Sequence, residues 1–250
     1  MRIITTILRG VRFAHHLSLK ILMIVLKYTK NNNAAYFAHL DLMRTFMMAI
    51  RRTKLQVNYS TGFNPHMLLF FAPPLPVGAN SVAEYLAVDS KEHPVKFMET
   101  LNLSLPDGIK ILRANGANKN PNFAAISRAA IYDIILSKPV QLPDIKKVFD
   151  SDTLQIQFEQ KGATVTKEVR DKIFWLAGEG SDYQFTLSAG NQNLRADRLM
   201  RHFLSQAGYG GEIAITTTKT NLLTNLPAIS SLKLKLSLKE LVDVDELFFK

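Results

Sequence analysis

The sequence predicts an α+β protein of two ferredoxin-like (βαββαβ-type) units, with antiparallel sheets and helices packed on one face. Three observations carry this prediction. From Met23, β-rich runs and helix-periodic stretches follow one another in the order β-α-β-β-α-β. The stretch "GANKNPN", residues 116–122, gathers Gly, Asn and Pro between two periodic segments and marks a domain boundary. Beyond it strands and helices return, although the two halves share no sequence repeat. The expected organisation is a first domain over 23–117, a second α+β domain over 124–225 and a C-terminal strand and tail over 226–250. Residues 1–22 are read as a leader or a mis-assigned start.

The elements follow in order. "MIVLKYTK" from Met23 is a β-rich run, and "NNNAA" after it has turn chemistry. "HLDLMRTFMMAIRRTK" spaces Leu42, Phe46, Ala49 and Ile50 as one apolar helix face, with Arg44, Arg51 and Arg52 off it. "KLQVNYS" and "MLLFFA" read as extended segments on either side of a turn, and "SVAEYLAVDS" as a further strand. "HPVKFMETLNLSL" opens a second helix with Pro94 in its first turn, and "GIKILRAN" closes the unit as a strand. In the second half "AAIYDIILSK", "TLQIQFEQ", "KIFWLAGEG", "DYQFTLSAG" and "EIAITTTKT" read as strands, and "LPDIKKVFD" as a short helix. "NLRADRLMRHFLSQAG" reads as a longer helix stopped at Gly208. The tail "SLKLKLSLKELVDVDELFF" alternates Leu with Lys, as a strand with one wet face does.

The composition removes several chemistries. The chain has 250 residues, 47% of them hydrophobic, and no cysteine. It therefore carries no disulfide framework, no thiolate zinc site, no cysteine nucleophile and no iron–sulfur cluster on its own ligands. The formal charge of +10 is concentrated at the N-terminus, where residues 1–60 hold ten Lys/Arg against the single acid Asp41. Four of those cations fall within residues 1–22. Such an excess attracts polyanions by steering and counterion release. The apolar run "ILMIVL" is too short to cross a bilayer. No membrane association is expected, and the absence of cysteine fits a cytoplasmic protein.

The candidate chemistry gathers around "YSTGFNPHM", residues 59–67. Gly62 supplies positive φ, Pro65 fixes its own φ, and Asn64 before proline is driven towards extended geometry, so the stretch is a turn. It also carries Tyr59, Phe63 and His66, side chains with π-faces and hydrogen-bonding ends. Tyr28, Tyr59 and Phe63 are candidates to stack unpaired bases while Lys27, Arg51, Arg52 and Lys54 meet phosphates. An alternative groups His39, Asp41, His66 and Glu84 as acid/base groups or metal ligands, without any HxH, HxxxH or HExxH spacing behind it. Ser60 and His66 share the loop, yet no G-x-S-x-G elbow accompanies them. "AGYGGE" lacks the Lys-Ser/Thr of a phosphate loop, and Arg195, Arg198 and Arg201 line one side of a helix. A third reading keeps the loop structural and gives the basic helix to protein contact.

Residues 37–86 resemble an uncharacterised radical-SAM-associated domain, found C-terminal to cobalamin-domain radical SAM proteins or encoded beside them. His39, Leu40, Asp41, Leu42, Met43 and Arg44 match its His-Leu-Asp-Leu-hydrophobic-Arg stretch. Tyr59, Ser60, Gly62, Phe63, Asn64, Pro65 and His66 match its Tyr-Ser-x-Gly-Phe-Asn-Pro-His pattern, and Pro74, Leu75, Gly78, Glu84 and Tyr85 match the remainder. Met67 stands where that pattern has proline. The resemblance implies a radical SAM partner of the cobalamin-domain type and a role in RNA modification or processing. The cluster chemistry would then belong to the partner, and this chain would need no cofactor. Its contact set is expected to be His39, Asp41, Arg44, Arg51, Arg52, Tyr59, Ser60, Gly62, Phe63, Asn64, Pro65, His66, Glu84 and Tyr85.

Overall fold

A computed structural model of the chain describes residues 23–160, 162–225 and 241–249. The expected leader over 1–22 and the tail residues 226–240 lie outside the described residues. The first half consists of β1 (Met23–Lys30), α1 (His39–Thr53), β2 (Leu69–Phe71), β3 (Asn80–Val88), α2 (Pro94–Asn102) and β4 (Ile111–Ala117). β1 pairs antiparallel with β3 on one side and β4 on the other, and β2 lies antiparallel along Leu86–Val88 of β3. The second half adds α3 (Phe123–Ile126), β5 (Ala129–Val140), β6 (Gln155–Gln160), β7 (Ala163–Glu168) and β8 (Ile173–Ser188). It continues with α4 (Ala196–Gln206), β9 (Ile215–Asn225), β10 (Leu241–Asp243) and α5 (Asp245–Phe248).

The two halves share a sheet. β2 covers only the last residues of β3, so the edge at Asn80 and Ser81 is left open, and β9 pairs there in parallel through Thr218 and Lys219. An eight-stranded sheet results, ordered β4-β1-β3-β9-β5-β8 with β2 on β3 and β10 on β9, and antiparallel at every pairing except β3/β9. β6 and β7 form a separate hairpin. The fold is mixed, with helices and one large, mostly antiparallel sheet.

Burial explains why β1 lacks the alternation of a half-wet strand. Ile24, Leu26 and Tyr28 pack with Leu42, Phe46 and Ile50 of α1 and Phe97 and Leu101 of α2. Met23 and Val25 point to the other side, into a core with Tyr85, Phe123, Tyr132, Leu222 and, from α4, Leu199. A strand covered on both faces reads as a continuous apolar run.

Several elements differ from the sequence expectation for local reasons. "KIFWLAGEG" and "DYQFTLSAG", expected as separate strands, are one strand, β8. Gly178 and Gly180 take φ of +129° and +62°, and the pairing with β5 loses register between Ile135 and Val140. These glycines bend the strand without ending it. "LPDIKKVFD" winds only as a 3-10 turn over Ile145–Asp150, and β7 was not expected at all because "ATVTKE" is polar and almost wholly exposed.

Candidate functional site

The stretch 59–67 is the tip of a hairpin. Leu55 and Met67, both buried against the α1/α2 core, hold its base, and Asn58 donates its backbone N–H to the Asp89 carbonyl at 2.8 Å. Tyr59 and Met67 face each other as an antiparallel bridge, and Ser60 N–H donates to the His66 carbonyl at 2.8 Å. Met67, standing at the position of the family's proline, is thus an anchor. The side chains brace the turn a second time. Ser60 Oγ accepts the His66 backbone N–H at 3.1 Å and lies 2.8 Å from His66 Nδ1. Either ring tautomer satisfies this contact, and Nε2 is left for a partner. Among the described residues no carboxylate pairs with His66, so the Ser60/His66 contact orders a turn and lacks the third member of a catalytic relay.

What the braced turn displays is aromatic. Phe63 is 101% exposed, as open as in an extended peptide, and Tyr59 is 45% exposed. Gly62 has φ of +127° with nothing within 4 Å of where a side chain would begin, and Asn64 and Pro65 are exposed beside it. A fully exposed phenyl ring contributes no burial energy to this fold.

The C-terminal end of α1 lies at the same end of the sheet. β1 and β3 pair Ile24 with Val88, Asp89 holds the hairpin stem, and α1 runs back from the Lys30 end of β1 towards Met23. Arg51 and Lys54 are exposed there, Lys54 closing the helix in the left-handed conformation at φ 55°. Arg52 is turned to the α2 side, where its guanidinium donates to Ser104 Oγ and the Ser104 carbonyl, both at 2.8 Å. It is therefore a structural tie, and of the expected cation pair Arg51 is the member left unpaired among the described residues.

The other expected residues lie apart from the hairpin. Asp41 caps the first turn of α1 by accepting the Ala38 N–H at 3.3 Å, and Arg44 approaches it at 3.8 Å in an exposed pair of small energetic value. His39 packs edge-on against Phe71, ring centroids 5.6 Å apart, and lines a space of about 10 Å³ with Glu84, Tyr28 and Lys30. His66 is five residues before Phe71 along an extended chain, roughly 16 Å away at the rise of a strand. The quartet His39, Asp41, His66 and Glu84 therefore does not assemble, and among the described residues no three His, Asp or Glu side chains converge as metal ligands.

Glu84, Tyr85 and Tyr28 are interior and not part of a contact surface, with exposures of 3%, 0% and 1%. Glu84 and Tyr85 were expected in the contact set from the resemblance and Tyr28 as a stacking ring from its residue type, neither of which reports burial. Tyr28 packs edge-on against Phe46 at 4.9 Å, and burial together with Glu84 pushes its phenol up. Tyr85 donates to Asp245 Oδ1 at 2.8 Å, and Lys27, the other expected phosphate ligand, donates to Asp245 Oδ2 at 2.6 Å. Burial and the Asp245 hydrogen bond raise the Tyr85 phenol far above its ordinary value. Arg113 completes this tie of α5 to the sheet, 3.6 Å from Asp245 and stacked on Phe249 at 4.8 Å.

Glu84 forms an ion pair that no sequence signal indicated. Lys219 of β9 places Nζ 2.5 Å from Glu84 Oε1, with both side chains 4% exposed. Lys30, equally buried, donates to the Ala35 carbonyl at 2.7 Å. Lys219 sits at the parallel seam, 135 positions beyond Glu84, so only the closing of the sheet brings them together. The arginine ridge of α4 is likewise occupied internally. Arg195 binds Asp197 with two hydrogen bonds, Arg198 stacks on Phe158 at 4.0 Å, and Arg201 donates to the Ile213 carbonyl at 3.0 Å.

Fold and site together define a mixed α/β protein that presents a rigid aromatic hairpin beside exposed cations. The chain belongs to the family described as "Uncharacterized protein conserved in bacteria (DUF2344)", which matches residues 23–196. No curated protein matches it. Among solved structures it is similar to a chain in the "Crystal Structure of a Cbf5-Nop10-Gar1 Complex", at 10% identity and a TM-score of 0.42. That match covers 82% of this chain and 50% of the other, so this protein spans half the length of the chain it matches. Among the described residues no helix is long and apolar enough to cross a membrane.

Proposed function

We propose that this protein is an accessory, substrate-recognition protein for RNA modification or processing, working with a radical SAM enzyme of the cobalamin-domain type. The observation that carries the reading is Phe63, a wholly exposed ring on a turn held rigid by Ser60, His66 and the Met67 anchor. Rigid display lowers the entropy lost on binding, and a base stacked on such a ring is worth about 1–3 kcal/mol whatever its identity. Tyr59 extends the stacking surface, while His66 Nε2 and the Asn64 amide offer hydrogen bonds to base edges. Arg51 and Lys54 supply phosphate contacts at the same end of the sheet. The absence of cysteine fits a division of labour in which the iron–sulfur chemistry resides in the partner.

The test is single-stranded RNA binding as a function of salt. Each phosphate contact contributes about 0.7 to the slope of log K against log salt on a single strand. Arg51→Glu combined with Lys54→Glu should lower both affinity and slope, whereas Arg52, tied to Ser104, is left in place to keep α1 and α2 joined. Salt-independent binding, or none, would refute RNA recognition. Co-purification of a radical SAM protein with the native chain tests the partner separately.

A further inference from the structure

We infer that the seam between the two halves holds a binding site for one short-chain monocarboxylate, a reading that goes beyond RNA recognition and does not rest on it. A cavity of about 120 Å³ lies between the Pro73–Leu75 segment after β2, strands β5 and β9, and the stretch from Ala189 to Asn193 before α4. Its walls divide by chemistry. Leu75, Ala130 and Leu222 form an apolar side, and Lys219 and Asn193 supply an ammonium and an amide. Asn193 is exposed, whereas Lys219 is buried.

Two observations point to an anion. The first is the state of the Lys219 ammonium. It carries three N–H donors, is all but removed from water, and among the described residues has Glu84 Oε1, at 2.5 Å, as its one polar partner, which leaves two donors over. Lys219 also lines the cavity. The second is the charge count. Among the described residues Lys30 and Lys219 are buried with Glu84 as the single acid between them, which leaves an excess of one positive charge. On the Tyr132 wall the acid Asp197 is already bound bidentately by Arg195 and compensates nothing further. A buried, unmatched charge is costly, and a carboxylate entering the cavity would accept hydrogen bonds from Lys219 and Asn193 and bring the cluster to neutrality.

Size and wall chemistry narrow the class. An apolar cavity of about 150 Å³ holds the six heavy atoms of a benzene, so this one takes about five or six. Its apolar side favours a hydrocarbon body over inorganic phosphate. Butyrate fits both limits.

The experiment is calorimetric titration of the full chain with butyrate at constant ionic strength, with butyramide as the neutral isostere and decanoate as the oversized acid. Saturable one-to-one binding of butyrate is expected, with butyramide and decanoate at least tenfold weaker. Lys219→Met should abolish it. Asn193→Leu, at an exposed position, should weaken it at least tenfold, and serves as the decisive variant should Lys219→Met not fold. The proposal is overturned by no saturable butyrate binding at millimolar concentration, by butyramide matching butyrate, or by undiminished binding in Asn193→Leu.

Discussion

Glu84→Gln is the substitution that tests the buried seam most severely. It keeps the size of the side chain and removes its charge, leaving Lys219 and Lys30 in the interior without a counter-ion. At 2.5 Å and an effective dielectric near 20 the gross attraction of the pair is about 7 kcal/mol. Desolvation of both ions offsets much of that, and removing one partner of a buried pair typically leaves a net loss of about 3–5 kcal/mol. Against a total stability of roughly 5–15 kcal/mol this is a large fraction. The double variant Glu84→Gln/Lys219→Met abandons the pair without orphaning Lys219, and should lose about 2 kcal/mol less than Glu84→Gln alone. Urea unfolding followed by circular dichroism measures both. A loss under about 1 kcal/mol for Glu84→Gln, or a double variant less stable than the single one, would show that the pair does not hold the halves together.

Three further outcomes follow from other contacts. Asp245→Ala strips the buried Tyr85 hydroxyl and Lys27 of their acceptor, so unfolding should show a loss of about 2–3 kcal/mol, and limited proteolysis should cut earlier near α5. Gly108→Ala should destabilise by well over 1 kcal/mol in the same assay, because φ there is +85° and a Cβ would lie 2.1 Å from the Asn31 carbonyl oxygen. His202 is half-buried on α4, and burial lowers its imidazole below the ordinary 6.5. The unfolded chain then takes the proton first, so its contribution is present above about pH 6.5 and is lost as pH falls from there through the folded value. Thermal unfolding across pH 8 to 5 should accordingly show a shallower acid-side decline in His202→Gln.

The local signals in the sequence were strong wherever one element decided its own structure. Leu42, Phe46, Ala49 and Ile50 read as a helix face because a 3.6-residue period is a property of the helix itself, and they are the buried face of α1. Gly62 and Pro65 announced the turn in the same way. Whatever depended on distant pairing was not legible. Nothing in the sequence singled out Lys219, which is buried where β9 meets β3, and Tyr28, Glu84 and Tyr85 looked available until both faces of their strands were covered. Arg52 read like Arg51, and only the packing of α2 against α1 distinguishes them. Periodicity reports whether a residue is inward within its element, but a residue on the outward face becomes interior when a second layer arrives from elsewhere in the chain.

The central claim is that Phe63 is displayed for a partner and not for the fold. Phe63→Ala measured in parallel by thermal unfolding and by fluorescence anisotropy with single-stranded RNA addresses it directly. With the ring fully exposed, the unfolding temperature should stay unchanged while RNA affinity falls by about 1–3 kcal/mol, roughly 5- to 150-fold. An unchanged affinity would contradict the account, as would a loss of stability that explained the loss of binding.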